Sequence, residues 1–350
     1  TGLRWRIFQK GKYYRPNDCG ESSEMKLNSS QDIPDIPDIH LAHARIRDRV
    51  RLTPVLNDPG LDQALGCRLY LKCENFQRTG AFKFRGASNA IARLREQEID
   101  GPVATHSSGN HGAALALAAR LDHRAAHVVM PENSSRIKIA AVRSYGGEVH
   151  FCAPNGRARS EGLDRLIGQE MIAVHPYDHP DIIAGQGTAA LEFEQEVPTL
   201  EQIICPLGGG GLISGTAIAA QAWGAAVYGV EPEGAADTVA SLEQGRIVDS
   251  YQPETIADGL RAIVGVRNFA VIRSEVKRVL TVSDDEIRQG MILLWKHLRL
   301  LIEPSSATVI AALVKNPEIF SGKQVGAILS GGNIHPADWI ELTGLSSPDS

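Results

Sequence analysis

The chain has 350 residues, of which 43% are hydrophobic and 22% charged, with a formal net charge of −5. That length suits two domains rather than one small core, and the composition is that of a soluble globular protein. Without a basic block there is no electrostatic case for nucleic acid or an anionic membrane surface, and no apolar run reaches the length of a bilayer span.

The five cysteines, Cys19, Cys67, Cys73, Cys152 and Cys205, form no C-x-x-C pair. Their odd number and scatter argue against a disulfide framework or a thiolate zinc site, so a reducing, cytoplasmic compartment is the default. Residues 1–38 mix Arg, Lys, Tyr, Ser and Asp without periodicity and run into the repeat "DIPDIPDI" (32–39). No apolar stretch follows their basic residues, so they do not read as a secretory signal; a poorly ordered extension is expected.

From about residue 40, short apolar runs alternate with amphipathic stretches. "RLYLKCE" (68–74) reads as a strand, and residues 83–96 as a helix with Phe84, Ala87, Ile91 and Leu94 on one face. "GPVATHS" is a strand entering a turn, followed by the Ala-rich helix "NHGAALALAARL". "AAHVVMP", "EVHFCAP" and "MIAVHP" continue the series; "QIICPLG", "AVYGVEP", "RVLTVS" and "VGAILSGG" complete it. Such alternation means βαβ units: an α/β fold of mainly parallel, twisted open sheets covered by helices. Ligands in such sheets sit beyond the carboxyl ends of the strands, which is where chemistry is sought.

Four strand ends stand out. "PLGGGGLISG" (206–215) places Gly208, Gly209, Gly210, Gly211 and Leu212 between a strand and a helix. Backbone N–H groups without Cβ atoms can close on an anion, helped by the helix dipole. Both G-x-x-x-x-G-K-[ST] and G-x-G-x-x-G fail here, which leaves a phosphate site for neither ATP nor NAD, or a tight turn. "THSSGNHG" (105–112) offers Ser107, Ser108, Asn110 and His111 and suits a carboxylate, or ordinary helix capping. "LSGGN" (329–333) opens its polar residues with Ser330. "GVEPEGAAD" (229–237) brings Glu231 and Asp237, hard oxygen ligands that can join a backbone carbonyl around Mg²⁺ or Ca²⁺, or simply form a solvated loop.

"RTGAFKFRG" (78–86) holds Lys83 between Phe82 and Phe84. A desolvated lysine, a non-nucleotide phosphate cradle and a carboxylate cradle together fit pyridoxal 5′-phosphate (PLP), whose phosphate needs the cradle and whose aldehyde needs the amine.

At these residues the chain resembles the serine/threonine dehydratase and serine racemase family of fold-type II, tryptophan synthase β-like PLP enzymes. The resemblance covers roughly residues 40–340 through "TGAFKFRGA", "THSSGNHG", "AGQGT", "GGGG" with "LISG", "DGL", "IEPSSA" and "SGGN". It implies a large PLP-binding domain from residues 39–90 plus 178–350, a small substrate-loop domain from 91–177, and a homodimer. It implies Lys83 as the Schiff-base lysine and base at the substrate Cα–H, Phe82 packing on the cofactor ring, Asn110 bonding the ring 3′-oxygen, and Gly208–Leu212 holding the phosphate. Ser330 would face the pyridine nitrogen, Ser107, Ser108, Asn110 and His111 would hold the substrate carboxylate, and Ser108 would be the acid of any racemisation. Glu231, the Ala235 carbonyl and Asp237 match the family's divalent-metal site, for Mg²⁺, Ca²⁺ or Mn²⁺.

Two departures carry meaning. Ala81 stands where the family usually has Ser, with little expected consequence. Tyr177, in "HPYDHP", stands where serine racemases have Asn and many threonine dehydratases have Phe, which favours elimination over racemisation. Arg159 aligns with an arginine that can meet a distal carboxylate, or is a solvated helix residue; it keeps 3-hydroxyaspartate open beside L-serine and L-threonine. A hydroxyl such as that of Ser330 cannot hold a protonated pyridine, so the ring should be a weaker electron sink and the β-group should be expelled. The expected activity is α,β-elimination from a small hydroxy amino acid to a 2-oxo acid and ammonia, with threonine or serine as substrate; racemisation and 3-hydroxyaspartate dehydration are the alternatives.

Overall fold

The computed structural model describes residues 33–107, 109–250 and 252–345. Among the described residues the strands are β1 (Val55–Leu56), β2 (Arg68–Cys73), β3 (Val103–His106), β4 (Ala126–Pro131), β5 (Gly147–Cys152), β6 (Ile172–Ala173), β7 (Gln202–Pro206), β8 (Ala226–Pro232), β9 (Val276–Val282) and β10 (Gln324–Leu329). They form a six-stranded sheet in the order β1-β2-β10-β7-β8-β9 and a four-stranded sheet in the order β5-β4-β3-β6. Every pairing is parallel except β1 with β2.

The apolar strands are buried on both faces, as parallel sheets require. Period-two alternation sorts their side chains. Leu69, Leu71, Ile204, Val325 and Ala327 join one core with the helices Asp284–Leu298 and Pro304–Lys315. Ile203, Cys205 and Ile328 face the other way, onto the helices Pro180–Glu196 and Gly211–Ala220. In the small sheet, Val103, Val128 and Met130 pack under Lys83–Glu96 and Asn110–Arg120, while Ala104, Val129 and Cys152 pack under Gly156–Ile167. Each fully buried Leu or Ile contributes on the order of 1.5–3 kcal/mol relative to exposure.

The first helix, Ile36–Ile46, begins inside the stretch 1–38 expected to be poorly ordered. Asp35 caps it and Asp38 reaches back to the Asp35 N–H, a reciprocal capping box built from the "DIPD" repeat. Pro37 sits in the first turn, where its missing N–H costs nothing. Expectations about residues 1–32 lie outside the described residues. Cys67, Cys73, Cys152 and Cys205 are buried free thiols, and burial pushes Cys73 and Cys205 up to about 12. No helix among the described residues is long and apolar enough to cross a membrane.

Candidate active site

The chemical residues gather at the carboxyl ends of β2, β3, β7 and β10, three of which, β2, β10 and β7, are sheet neighbours. After β2 the chain makes two short turns and enters the helix Lys83–Glu96 at Lys83. The Phe82 N–H donates to the Ser330 carbonyl (3.0 Å), and Ala81 bridges Gly331, so the end of β10 fixes where that helix starts.

Lys83 Nζ donates to the Pro176 carbonyl at 2.9 Å and lies 5.0 Å from the centre of the Phe82 ring and 6.0 Å from that of Tyr177. Burial pulls its pKa from 10.5 down to about 8, opposed only by the Glu303 carboxylate. Two residues on, Arg85 anchors the same helix. Its guanidinium is fully buried and forked onto Glu74 (2.8 Å to each oxygen) and Glu192 (2.8 and 2.6 Å). Lys72 joins Glu192 (3.1 Å) and Glu196 (2.8 Å), and Thr53 donates to Glu74 at 2.6 Å. The opening turn of the lysine helix is therefore held by charges that cannot move apart without stranding one another in the core.

The glycine run turns from β7 into the helix Gly211–Ala220, with Gly210 at a φ of 92° that L side chains rarely adopt. Packing also dictates its composition. A Cβ on Gly208 would lie 2.9 Å from Leu260 Cα, one on Gly210 2.6 Å from Asn268 Cβ, and one on Gly209 would overlap the Tyr177 ring. The Gly209 carbonyl is turned away from the cleft, accepting from Asn268 Nδ2 (2.7 Å) and the Gly265 N–H (3.1 Å). The first-turn N–H groups of the following helix, those of Gly211 and Leu212 among them, have no intrahelical partner and form the anion-binding end.

After β3, Ser107 Oγ accepts from the Gly109 N–H (3.1 Å), and Asn110 opens the helix Asn110–Arg120. Asn110 donates to Glu303 (2.8 Å) and accepts from Asn333 Nδ2 (2.9 Å), tying the β3 loop to the end of β10. His111 is buried and pushed down to about 3, by burial first and Lys83 second, so its imidazole is neutral. His106 is pushed down to about 4 by burial and by the Arg159 guanidinium, which stands in the first turn of the helix Gly156–Ile167. The His106 and His175 rings meet edge to face at 6.0 Å, and the His175 and Tyr177 rings at 4.6 Å. Ser108 lies outside the described residues.

Ser330 is buried, its Oγ 3.1 Å from that of Ser306, which in turn donates to the Gly331 carbonyl (2.6 Å). At the end of β8, Glu231 and Asp237 are both buried beside the buried Ala235. The Glu231 oxygens accept from the Thr238 and Val239 N–H groups (3.1 and 3.0 Å), and Asp237 accepts from Val264 (2.8 Å). Burial, with Asp237 second, pushes Glu231 up to about 8. Two buried carboxylates in one site call for a shared proton or a cation.

The sequence profile of the pyridoxal-phosphate dependent enzymes matches residues 46–331. The chain belongs to this PLP-dependent family. It is 42% identical over 307 residues to the "beta-hydroxyaspartate dehydratase" of Paracoccus denitrificans, covering 86% of this chain and 97% of the relative. It is 44% identical over 306 residues to the "Serine racemase" of Dictyostelium discoideum, covering 85% and 94%. The solved structure of maize serine racemase superimposes with a TM-score of 0.84 at 38% identity, covering 88% of this chain and 96% of that one. The fold-type II assignment and the PLP family expected from the sequence both stand.

The residues of this PLP enzyme fit its cofactor. The cradle admits no Cβ at Gly208, Gly209 or Gly210 without displacing Leu260, Tyr177 or Asn268, so its backbone stays bare up to the helix N-terminus at Gly211, where a phosphate would be held. A hydroxyl, not a carboxylate, is set at the end of the neighbouring β10, and an amine with a pKa near 8 follows β2, one strand further. Residue reading missed several members of the site. Glu303 and Asn333 hold Asn110, and Pro176 meets the lysine amine; Tyr177, singled out in the sequence, also walls the glycine loop. Lys138 forms a close ion pair with Asp258, and its methylenes fill the space a Cβ on Gly109 would need. Burial pulls the Lys138 pKa down, but Asp258 and Glu303 outweigh it and leave it raised. "IEPSSA", "SGGN" and "DGL" were visible as motifs, but nothing in them names the partner each residue finds.

Proposed function

We propose that the protein is a PLP-dependent ammonia-lyase whose preferred substrate is a hydroxy amino acid with a second carboxylate, 3-hydroxyaspartate, converted to a 2-oxo acid and ammonia. The observation that carries this reading is the Arg159 guanidinium in the first turn of the helix Gly156–Ile167, whose positive charge is felt by His106, the last residue of β3 before the Ser107–His111 loop. A substrate whose α-carboxylate occupies that loop would send a β-carboxylate toward this cation, where threonine has only a methyl group and serine nothing. The 42% identity to a protein described as a beta-hydroxyaspartate dehydratase, and to a yeast "L-threo-3-hydroxyaspartate ammonia-lyase", supports 3-hydroxyaspartate ahead of the threonine and serine first expected.

Bound between Lys83, Asn110, Gly208–Leu212 and Ser330, PLP supplies the electron sink that makes the substrate Cα–H acidic. The chain supplies the rest. Lys83 Nζ, neutral in a large share of molecules near pH 8, accepts the Cα proton. Ser107 and the N-terminal end of the helix Asn110–Arg120 hold the α-carboxylate and so present the Cα–H bond. Phe82 and Tyr177 flank the amine and exclude water. Ser330 offers a neutral hydroxyl, which favours loss of the β-hydroxyl over a long-lived carbanion. Glu231, Asp237 and the Ala235 carbonyl would hold a divalent cation that stabilises the end of β8.

A coupled assay of ammonia and 2-oxo acid over 3-hydroxyaspartate, L-serine and L-threonine tests the reading, with D-serine measured in parallel. Ammonia release fastest from 3-hydroxyaspartate is expected. D-serine formed from L-serine at or above the rate of ammonia release would make the chain a racemase instead.

A further inference from the structure

We propose that His127, Glu148 and His150 form a second metal site, for a divalent transition ion of the Zn²⁺ type. His127 lies on β4, and Glu148 and His150 lie on β5. The parallel register sets His127 directly opposite Glu148, and His150 follows two residues later on the same face. That face also carries Val129 and Cys152, packed under the helix Gly156–Ile167. His127 and Glu148 are the second residues of their strands, and His150 is the fourth of β5.

The donor atoms already hold the spacing an ion needs. His127 Nδ1 is 3.0 Å from His150 Nε2; Glu148 comes within 3.5 Å of each ring nitrogen, Oε2 toward His127 and Oε1 toward His150. Ligand atoms about 2.0–2.1 Å from a tetrahedral ion are separated by about 3.3–3.4 Å, so an ion can enter with small side-chain adjustments. Two imidazoles and a carboxylate leave a fourth position for water and select Zn²⁺, Co²⁺ or Ni²⁺ over Mg²⁺. The carboxylate and carbonyl set at Glu231, Ala235 and Asp237 has the opposite preference.

Two ring nitrogens 3.0 Å apart share one proton, since an N–H must face a lone pair; when the ion binds between them, that proton moves to the other nitrogen of its own ring, and both facing nitrogens offer lone pairs to the ion. Access is open: the side chains are 14% (His127), 33% (His150) and 65% (Glu148) exposed, and His127 borders a surface groove of about 860 Å³ between residues 95 and 127. Because β5 is an edge strand, a bound ion would clip the edge of the small sheet to β4.

The test is Co²⁺ titration of the PLP-loaded full chain, followed by the visible d–d absorption of the ion and repeated with a large excess of Mg²⁺. One tetrahedral Co²⁺ per chain is expected, displaced by Zn²⁺ and indifferent to Mg²⁺. His150→Gln and Glu148→Gln should each weaken it at least tenfold, while Glu231→Gln leaves it unchanged. Glu148 is exposed enough that its substitution cannot unfold the sheet, so a folded variant is available. The absence of a d–d band in the wild-type protein, or equal Co²⁺ affinity in wild type and both variants, would overturn the site.

Discussion

The depressed pKa of Lys83 is the property on which the site's chemistry depends, and it can be measured without substrate. At pH 7 an amine with a pKa of about 8 is neutral in about a tenth of molecules, whereas one at the ordinary 10.5 is neutral in about three in ten thousand. The difference is about 300-fold in nucleophilic amine. It arises because Phe82 and Tyr177 replace water around Nζ, and only the Glu303 carboxylate favours the ammonium. Competitive acetylation of the cofactor-free protein, read at Lys83 by mass spectrometry from pH 6 to 11, should give reactivity that climbs to a midpoint near 8 and then levels. The sign for Glu303→Gln follows: removing the negative charge disfavours the ammonium further and moves the midpoint lower. Reactivity that keeps climbing tenfold per pH unit past 10 would show an ordinary solvated lysine and refute the desolvation argument.

Other consequences are equally specific. Arg85→Met strands Glu74 in the core, leaves Glu192 with Lys72 alone, and should cost about 3–5 kcal/mol in urea unfolding; a loss under about 1 kcal/mol would mean the network does not hold the lysine helix. Gly209→Ala should weaken PLP retention at least tenfold by pushing its methyl into the Tyr177 ring, and Gly209→Ala with Tyr177→Ala should recover much of it. Lys138→Met should lower kcat/KM about tenfold or more by freeing the Gly109 loop, and the exchange Lys138→Asp with Asp258→Lys should restore part of the loss. Chelation with EDTA should lower the melting temperature of the wild-type protein, and Mg²⁺ added back should restore it there but not in Glu231→Gln.

Much of this was legible in the sequence because the residues with special backbone demands are also local signals. Lys83 between aromatics, four glycines after an apolar strand, and short buried runs separated by helical stretches each announce themselves within ten residues. What the sequence hid is pairing across distance. Asn110 finds Glu303 193 residues later and Asn333 223 residues later, and no local pattern records that choice. Arg85 invites an ion pair, but its partners Glu74 and Glu192 come together around it only in the fold. The strand β1, two residues long and antiparallel, is too short to have a period. His127 and His150 sit in runs that read simply as strands; only the register makes them neighbours.

The most direct test of the proposed activity is the ratio of kcat/KM for 3-hydroxyaspartate to that for L-serine, compared between the wild-type protein and Arg159→Ala. A charge-assisted hydrogen bond to the distal carboxylate, about 1.5–3 kcal/mol, corresponds to roughly 10–150-fold in that ratio. The account predicts that 3-hydroxyaspartate is preferred by the wild-type enzyme and that Arg159→Ala removes at least tenfold of the preference while leaving the L-serine rate nearly unchanged. A wild-type enzyme that favours L-serine, or a variant in which both substrates fall together, would contradict it.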